Sequence, residues 1–170
     1  MITLEQLLSA RDARAARQKE LLAAYPGCTL LCFTVQLPGA VKRNAESLII
    51  GGAGLAALLD RFGSVLKHVQ VKDLETGYEA YILVPLPQKL VKEISCELEE
   101  THPLGRLMDI DVIGMDGIPV GREAIGKGLR KCLLCSNEVR FCMRARTHSV
   151  EELEAKVNEI VETYVKKGNS

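Results

Sequence analysis

Residues 105–113, Gly-Arg-Leu-Met-Asp-Ile-Asp-Val-Ile, set Asp109 and Asp111 two positions apart in a run that otherwise has the composition of a buried strand. Alternate side chains of a strand leave the same face, so both carboxylates project together, about 6–7 Å apart along the chain. Like charges among Ile110, Val112 and Ile113 are unfavourable unless a cation or a set of donors compensates them. Two readings follow: an edge strand with two solvated aspartates, or a seat for a divalent metal. Gly105-Arg106 just before the pair and the turn pair Asp116-Gly117 just after it favour the second.

A second constellation lies downstream. Cys132-x2-Cys135-x6-Cys142-x5-His148 gathers three thiols and one imidazole within seventeen residues. Three sulfurs and a nitrogen make a tetrahedral zinc set, and with all four positions filled by protein the ion would be a structural clamp. The spacing is not a standard finger pattern. The same residues also read as reduced cysteines packed as small hydrophobes, and less aptly as a redox Cys-x-x-Cys, since no thioredoxin-like strand precedes them.

The elements that must position these residues are bounded by the composition. A chain of 170 residues suits one domain, residues 1–170, burying roughly 70% of its unfolded surface. Its formal net charge is zero, which speaks against nucleic-acid binding and against disorder. No apolar run approaches the roughly 20 residues needed to cross a bilayer, and the N-terminus lacks the order of a secretory signal. A cytoplasmic protein without membrane or nucleic-acid partners is therefore expected, with its six cysteines as thiols or metal ligands. Local charge is uneven: Arg122, Lys127, Arg130, Lys131, Arg140, Arg144 and Arg146 face only Glu123 and Glu138, whereas 151–162 is dominated by acids. A basic face suits phosphates or an acidic partner.

Thr3 to Gln6 forms a capping box, and leucines at helical spacing predict a first helix ending near Tyr25-Pro26-Gly27. Arg11, Arg14 and Gln18 interrupt its apolar stripe; they either snorkel or pair with local acids such as Asp12, or point into a polar cavity holding a phosphate. Residues 28–36 read as a strand, followed by the loop Leu37-Pro38-Gly39-Ala40-Val41-Lys42, which carries a cation. Residues 46–61 look helical. Their Gly51-Gly52-Ala53-Gly54 cluster lacks the spacing of a dinucleotide loop. Val65 to Val71 and Tyr78 to Val84 predict a hairpin. Ile94, Cys96 and Leu98 alternate with polar residues, predicting a half-buried strand that pairs antiparallel with the aspartate strand and brings Glu97 or Glu99 up as a third carboxylate. Ser149 to Glu152 forms another capping box, opening a final amphipathic helix after the Cys/His-rich segment 130–148. The fold class is α+β, a mixed or mostly antiparallel sheet with flanking helices.

Arg11-Asp12-x-Arg14-x-x-Arg17-Gln18, Pro38-Gly39-x-x-Lys42, Glu97-x-Glu99-x-x-His102-Pro103-Leu104-Gly105-Arg106-Leu107-x-Asp109-Ile110-Asp111-Val112, and Arg130-x-Cys132-Leu133-x-Cys135 with Cys142 and His148 together resemble one family. It is the apo-citrate lyase phosphoribosyl-dephospho-CoA transferase family, and the resemblance spans nearly the whole chain. It implies transfer of a phosphoribosyl-dephospho-CoA group from 2'-(5-triphosphoribosyl)-3'-dephospho-CoA to a serine of the citrate lyase acyl-carrier subunit, with release of diphosphate. It implies nucleotidyltransferase-type chemistry, and a nucleotidyltransferase-like sheet is one candidate architecture. Asp109 and Asp111 would then bind Mg²⁺, and Glu97 or Glu99 would complete the shell or accept the serine proton. Arg106, Lys42, Gly39, Arg11, Arg14, Arg122 and Arg130 would hold phosphates, for which the guanidinium fork is suited. Two other readings compete: a zinc-stabilised module that binds the carrier without catalysis, and a generic phosphohydrolase.

Overall fold

The computed structural model describes residues 2–168. The first helix, α1 (Leu4–Ala24), opens as the capping box predicts: the Thr3 side chain accepts from the Gln6 amide and the Gln6 side chain accepts from the Thr3 amide. The chain then runs through β1 (Thr29–Val35), α2 (Ala45–Phe62), β2 (His68–Leu74), β3 (Gly77–Val84), α3 (Gln88–Thr101), β4 (Met108–Ile113), α4 (Val139–Ala145) and α5 (Val150–Gly168). The four strands form one sheet in the order β2-β3-β1-β4, antiparallel at every pairing. This is the α+β class expected.

The period-2 pattern of β1 divides the core between two faces. Leu31 and Phe33, with Ile82, Ile110 and Val112, meet Ile50, Leu58 and Phe62 of α2 and Val157 and Val161 of α5. On the other face Leu30 and Cys32, with Tyr81, Leu83 and Ile113, meet Leu21, Leu22 and Tyr25. The glycines of α2 belong to this packing and to no nucleotide loop. A Cβ at Gly51 would come within 2.6 Å of the Tyr78 ring and one at Gly54 within 2.4 Å of the Phe33 ring, so both positions must lack a side chain for the helix to sit this close. By length and composition Ala45–Val65 would reach across a bilayer, which corrects the expectation that no segment is apolar enough; here its inner face is spent on the sheet.

A larger correction concerns residues 94–99. They belong to α3 and not to a strand, and β4 pairs instead with β1. The alternation of Ile94, Cys96 and Leu98 is too short to separate a period of 2 from one of 3.6. The residues α3 buries, Val91, Lys92, Ser95, Cys96, Leu98 and Glu99, show the helical spacing. Pro87 occupies the N-cap position, where a missing N–H costs nothing. The turn after α3 is tight: a Cβ on Gly105 would lie 2.4 Å from the Glu99 carbonyl oxygen, so glycine lets β4 start directly beside the end of that helix.

Candidate functional site

β4 buries Met108, Ile110 and Val112 and turns Asp109 and Asp111 to the opposite face, Asp109 half-buried and Asp111 open to solvent. The strand pairs on one side only, so the outward-facing groups of its backbone need other partners. Three side-chain and loop contacts supply them. Glu99 Oε1 accepts from the Ile110 amide at 2.9 Å, Arg130 donates to the Met108 carbonyl at 2.6 Å, and the Val120 amide donates to the Val112 carbonyl at 2.8 Å. Arg130 also reaches the carbonyls of Gly105 and Arg106, each at 3.1 Å. Arg106 answers by donating to the carbonyls of Lys131 and Cys132 at 2.8 and 2.7 Å. This exchange of arginines fastens the approach to β4 onto the segment that starts the cysteine cluster.

Beside the edge lies a cleft of about 380 Å³, walled among others by Lys92, Glu99, Asp109, Asp111, Arg122 and Arg130. Asp109 Oδ2 accepts from Gln36 Nε2 at 2.9 Å, and its Oδ1 lies 3.6 Å from Arg130. Crowding by the cleft walls, and then the charge of Asp109, push the Asp111 carboxyl above the ordinary range, against the pull of Lys92 and Arg14. Asp111 is thus accessible to solvent yet hemmed in, as a residue in a concave site must be. Burial likewise raises the Glu99 carboxyl, although Arg130 and the Ile110 amide oppose it. Arg122 bridges Glu99 at 3.7 Å and Glu100 at 3.0 Å. An adjoining cleft of about 430 Å³ shares Glu99, Arg122 and Arg130 and adds Arg106 and Lys127.

The structure therefore brings together Asp109, Asp111, Glu99, Arg122 and Arg130, with Arg106 next door. It does not bring Glu97, which faces Arg61 of α2 at 2.7 Å; the helical geometry of α3 turns it away from Glu99, and the proposed pair of glutamates on one face of a strand is lost. Lys42 donates to the Leu37 carbonyl in a loop that packs on α5, where Gly39 lies against Glu154 and Val150. Burial lowers the Lys42 ammonium, with Glu154 opposing. Neither residue lines the cleft. On α1, Arg11 is exposed. Arg14 pairs with a distant acid and not with Asp12: its Nε and a terminal nitrogen hold Glu79 Oε1 at 2.9 and 2.8 Å. Burial disfavours that guanidinium, but Glu79 more than offsets it and its pKa is raised. Glu79 Oε2 in turn accepts from the Tyr81 hydroxyl at 2.6 Å.

Sequence reasoning missed Lys92 in the cleft, and it named Glu138 and Arg140 only as part of the basic tract. The signal for Lys92 was present: residues 92, 96 and 99 share one helical face, legible once the segment is read with a period of 3.6.

Cys132, Cys135, Cys142 and His148 converge as the spacing predicts, their ligand atoms all within 4.8 Å of one another. Among the described residues this is the one group of three or more such side chains that does so; Asp109, Asp111 and Glu99 do not form another. The Cys132 amide donates to the Asn137 carbonyl at 2.7 Å and Lys131 bridges Glu138, closing a tight turn around Cys132 and Cys135. α4 then presents Cys142, and the loop before α5 presents His148. The His148 imidazole, then the Asn137 amide, draw the Cys135 thiol down to about 6; burial and the neighbouring thiols raise that of Cys142. The donor set fits zinc.

Carboxylates facing a rim of arginines and lysines suit a group-transfer enzyme that handles a polyanion. Comparison with known proteins places the chain among transferases: the family model described as apo-citrate lyase phosphoribosyl-dephospho-CoA transferase matches residues 2–164. A probable apo-citrate lyase phosphoribosyl-dephospho-CoA transferase of Vibrio cholerae is 38% identical over 96% of this chain and 93% of its own length. One of Streptococcus pyogenes is 33% identical over 99% and 90%. Protein CitXG of Haemophilus influenzae is 35% identical over 96% of this chain, which spans 36% of that longer protein. The chain belongs to the apo-citrate lyase phosphoribosyl-dephospho-CoA transferase family.

Proposed function

We propose that this protein moves the phosphoribosyl-dephospho-CoA group from 2'-(5-triphosphoribosyl)-3'-dephospho-CoA to a serine of the citrate lyase acyl-carrier subunit. The serine oxygen attacks the phosphorus nearest the ribose, the bond from that phosphorus to the bridging oxygen breaks, diphosphate leaves, and the serine proton is lost to the medium or to a carboxylate of the site. The observation that carries this reading is an acidic pair on one face of β4, set in a cleft walled by Lys92, Arg122, Arg130 and Arg140, in a chain that the family model matches over residues 2–164.

Transfer of this kind needs charge neutralisation and in-line placement more than covalent help. Arg122, Arg106 and Lys127 stand where the departing diphosphate can be held across the two joined clefts. Glu99 is a positioning residue: it fixes the Ile110 amide, and through it the stretch of β4 between the two aspartates. Asp109 and Asp111 fit a magnesium ion, because that ion typically takes one or two carboxylates and fills its remaining positions with water and substrate phosphates, and because the charge of Asp109 on Asp111 calls for a cation. When bound, magnesium supplies positive charge to the triphosphate oxygens.

The carrier would dock on the basic tract, where exposed Leu129, Phe141 and Met143 lie among Arg140 and Arg144, if its surface is acidic as this chemistry favours. The deciding experiment is mass spectrometry of the apo carrier after incubation with the triphosphoribosyl precursor, Mg²⁺ and this protein. A mass gain equal to the prosthetic group is expected. An unchanged carrier would support the non-catalytic binding module, and triphosphate cleavage without a carrier the phosphohydrolase.

A further inference from the structure

We propose that Cys132, Cys135, Cys142 and His148 bind one zinc ion, which locks residues 130–148 and thereby fixes the arginine exchange at the edge of β4. Zinc–sulfur bonds of about 2.3 Å and zinc–nitrogen bonds of about 2.0–2.1 Å at tetrahedral angles put sulfurs about 3.8 Å apart and sulfur about 3.6 Å from nitrogen. Cys135 Sγ lies 3.4 Å from both Cys142 Sγ and His148 Nε2, and all four atoms fall within 4.8 Å of one another. The side chains are already gathered at separations close to those of a zinc tetrahedron.

Packing alone explains this poorly. Cys28, Cys32 and Cys96 show what a packed cysteine looks like here, each buried in the core or under a helix. The four clustered residues instead come from a surface turn, a seven-residue helix and a loop. Cys132 and Cys142 are buried, yet Phe141 and Met143 beside Cys142 point to solvent. Leu133 packs on the core and backbone hydrogen bonds close the turn at Cys132, but neither contact explains why three sulfurs and an imidazole converge, whereas a bonded centre does. Three thiolates and a neutral imidazole around Zn²⁺ leave one net negative charge, and Lys131, Arg140, Arg144 and Arg146 are the sequence neighbours that offset it. The thiol protons are released to solvent as the ion enters.

The centre ties into the edge of β4 through backbone. Arg106 holds the carbonyls of Lys131 and Cys132, and Arg130, two residues before Cys132, holds those of Gly105, Arg106 and Met108. Zinc would hold both ends of this exchange in register. The inference stands whether or not the transfer reaction proposed above is correct.

The test is metal analysis of the full chain purified under reducing conditions and passed through a desalting column after exposure to zinc. One zinc per chain is expected, together with the charge-transfer and d–d absorption of a tetrahedral thiolate centre when cobalt replaces it. Cys135→Ser should cut the zinc content, while Cys96→Ala should not. Zinc content well below one per chain, or a cobalt spectrum without thiolate bands, overturns the proposal, and both readings use the native sequence should the serine variant fail to fold. So does a Cys135–Cys142 disulfide that persists in the reduced protein.

Discussion

The cleft at β4 and the Cys/His cluster are both sites where side chains of like kind crowd together, but they are built in opposite ways. The cleft draws on Gln36, Lys92, Glu99, Asp109, Arg122 and Arg130, which are spread over nearly a hundred residues of chain, and it pairs Glu99 and Asp109 with donors and cations from other segments while Asp111 stays open to solvent. The cluster takes all four of its side chains from residues 132–148, and its donors lie against one another within that one short segment. A site assembled from distant segments, with one carboxylate left open, can admit and release a charged substrate. A site whose donors all come from one short segment suits an ion that stays bound as a structural clamp.

The contrast can be broken most sharply at the carboxylates. Asp109→Asn and Asp111→Asn should each slow transfer to the carrier by roughly 100-fold or more, with Asp111→Asn leaving the thermal unfolding temperature close to that of the parent; unaltered turnover in a mass-spectrometric time course would remove the aspartates from the mechanism. On the same face of the sheet, across β1 from Asp109, Arg14→Ala strands the Glu79 carboxylate, which is only 4% exposed. Denaturant unfolding should register a loss of about 2 kcal/mol, below the usual cost of breaking a fully buried pair because Arg14 itself is 27% exposed.

Arg130→Ala should cost about 1.5 kcal/mol by freeing the carbonyls of residues 105, 106 and 108. Arg130→Lys should restore little of it, since an ammonium lacks the planar fork that serves several acceptors at once. Stripping metal from the cluster should raise hydrogen exchange at Ile110 by several-fold while the core strands β1 and β3 stay protected; equal protection with and without metal would show that the two sites are independent. The smallest effect concerns His102, whose imidazole is lowered by burial and whose Nδ1 accepts from the Leu104 amide. Its neutral form is favoured in the folded state, so stability is full above about pH 6.5 and falls as the pH drops through that value, where the unfolded chain takes up the proton first. His102→Gln should flatten that slope in a series of thermal melts.

What the sequence disclosed follows from range. Both capping boxes, the β2–β3 hairpin, the alternation that places Asp109 beside Asp111 and the convergence of the Cys/His ligands are local, fixed by spacing over a few residues. Failure came where two periods overlap in a short segment, in α3, and where the partner of a long polar side chain lies far along the chain. Arg14 meets Glu79 and Arg106 meets Lys131, and no rule of spacing connects those numbers. The strand misassignment carried Glu97 into the site and left Lys92 out of it, so one wrong period altered two functional expectations.

Because side chains and a loop occupy the hydrogen-bonding groups of β4, the two borders of the sheet are unlike. β2 has a strand neighbour on one side only, and His68, Gln70, Lys72 and Asp73 are the polar residues along that border. Any lengthening of this sheet by another chain, in an assembly or in an aggregate, has a single growth point there, and the border nearest the acidic pair stays closed to it.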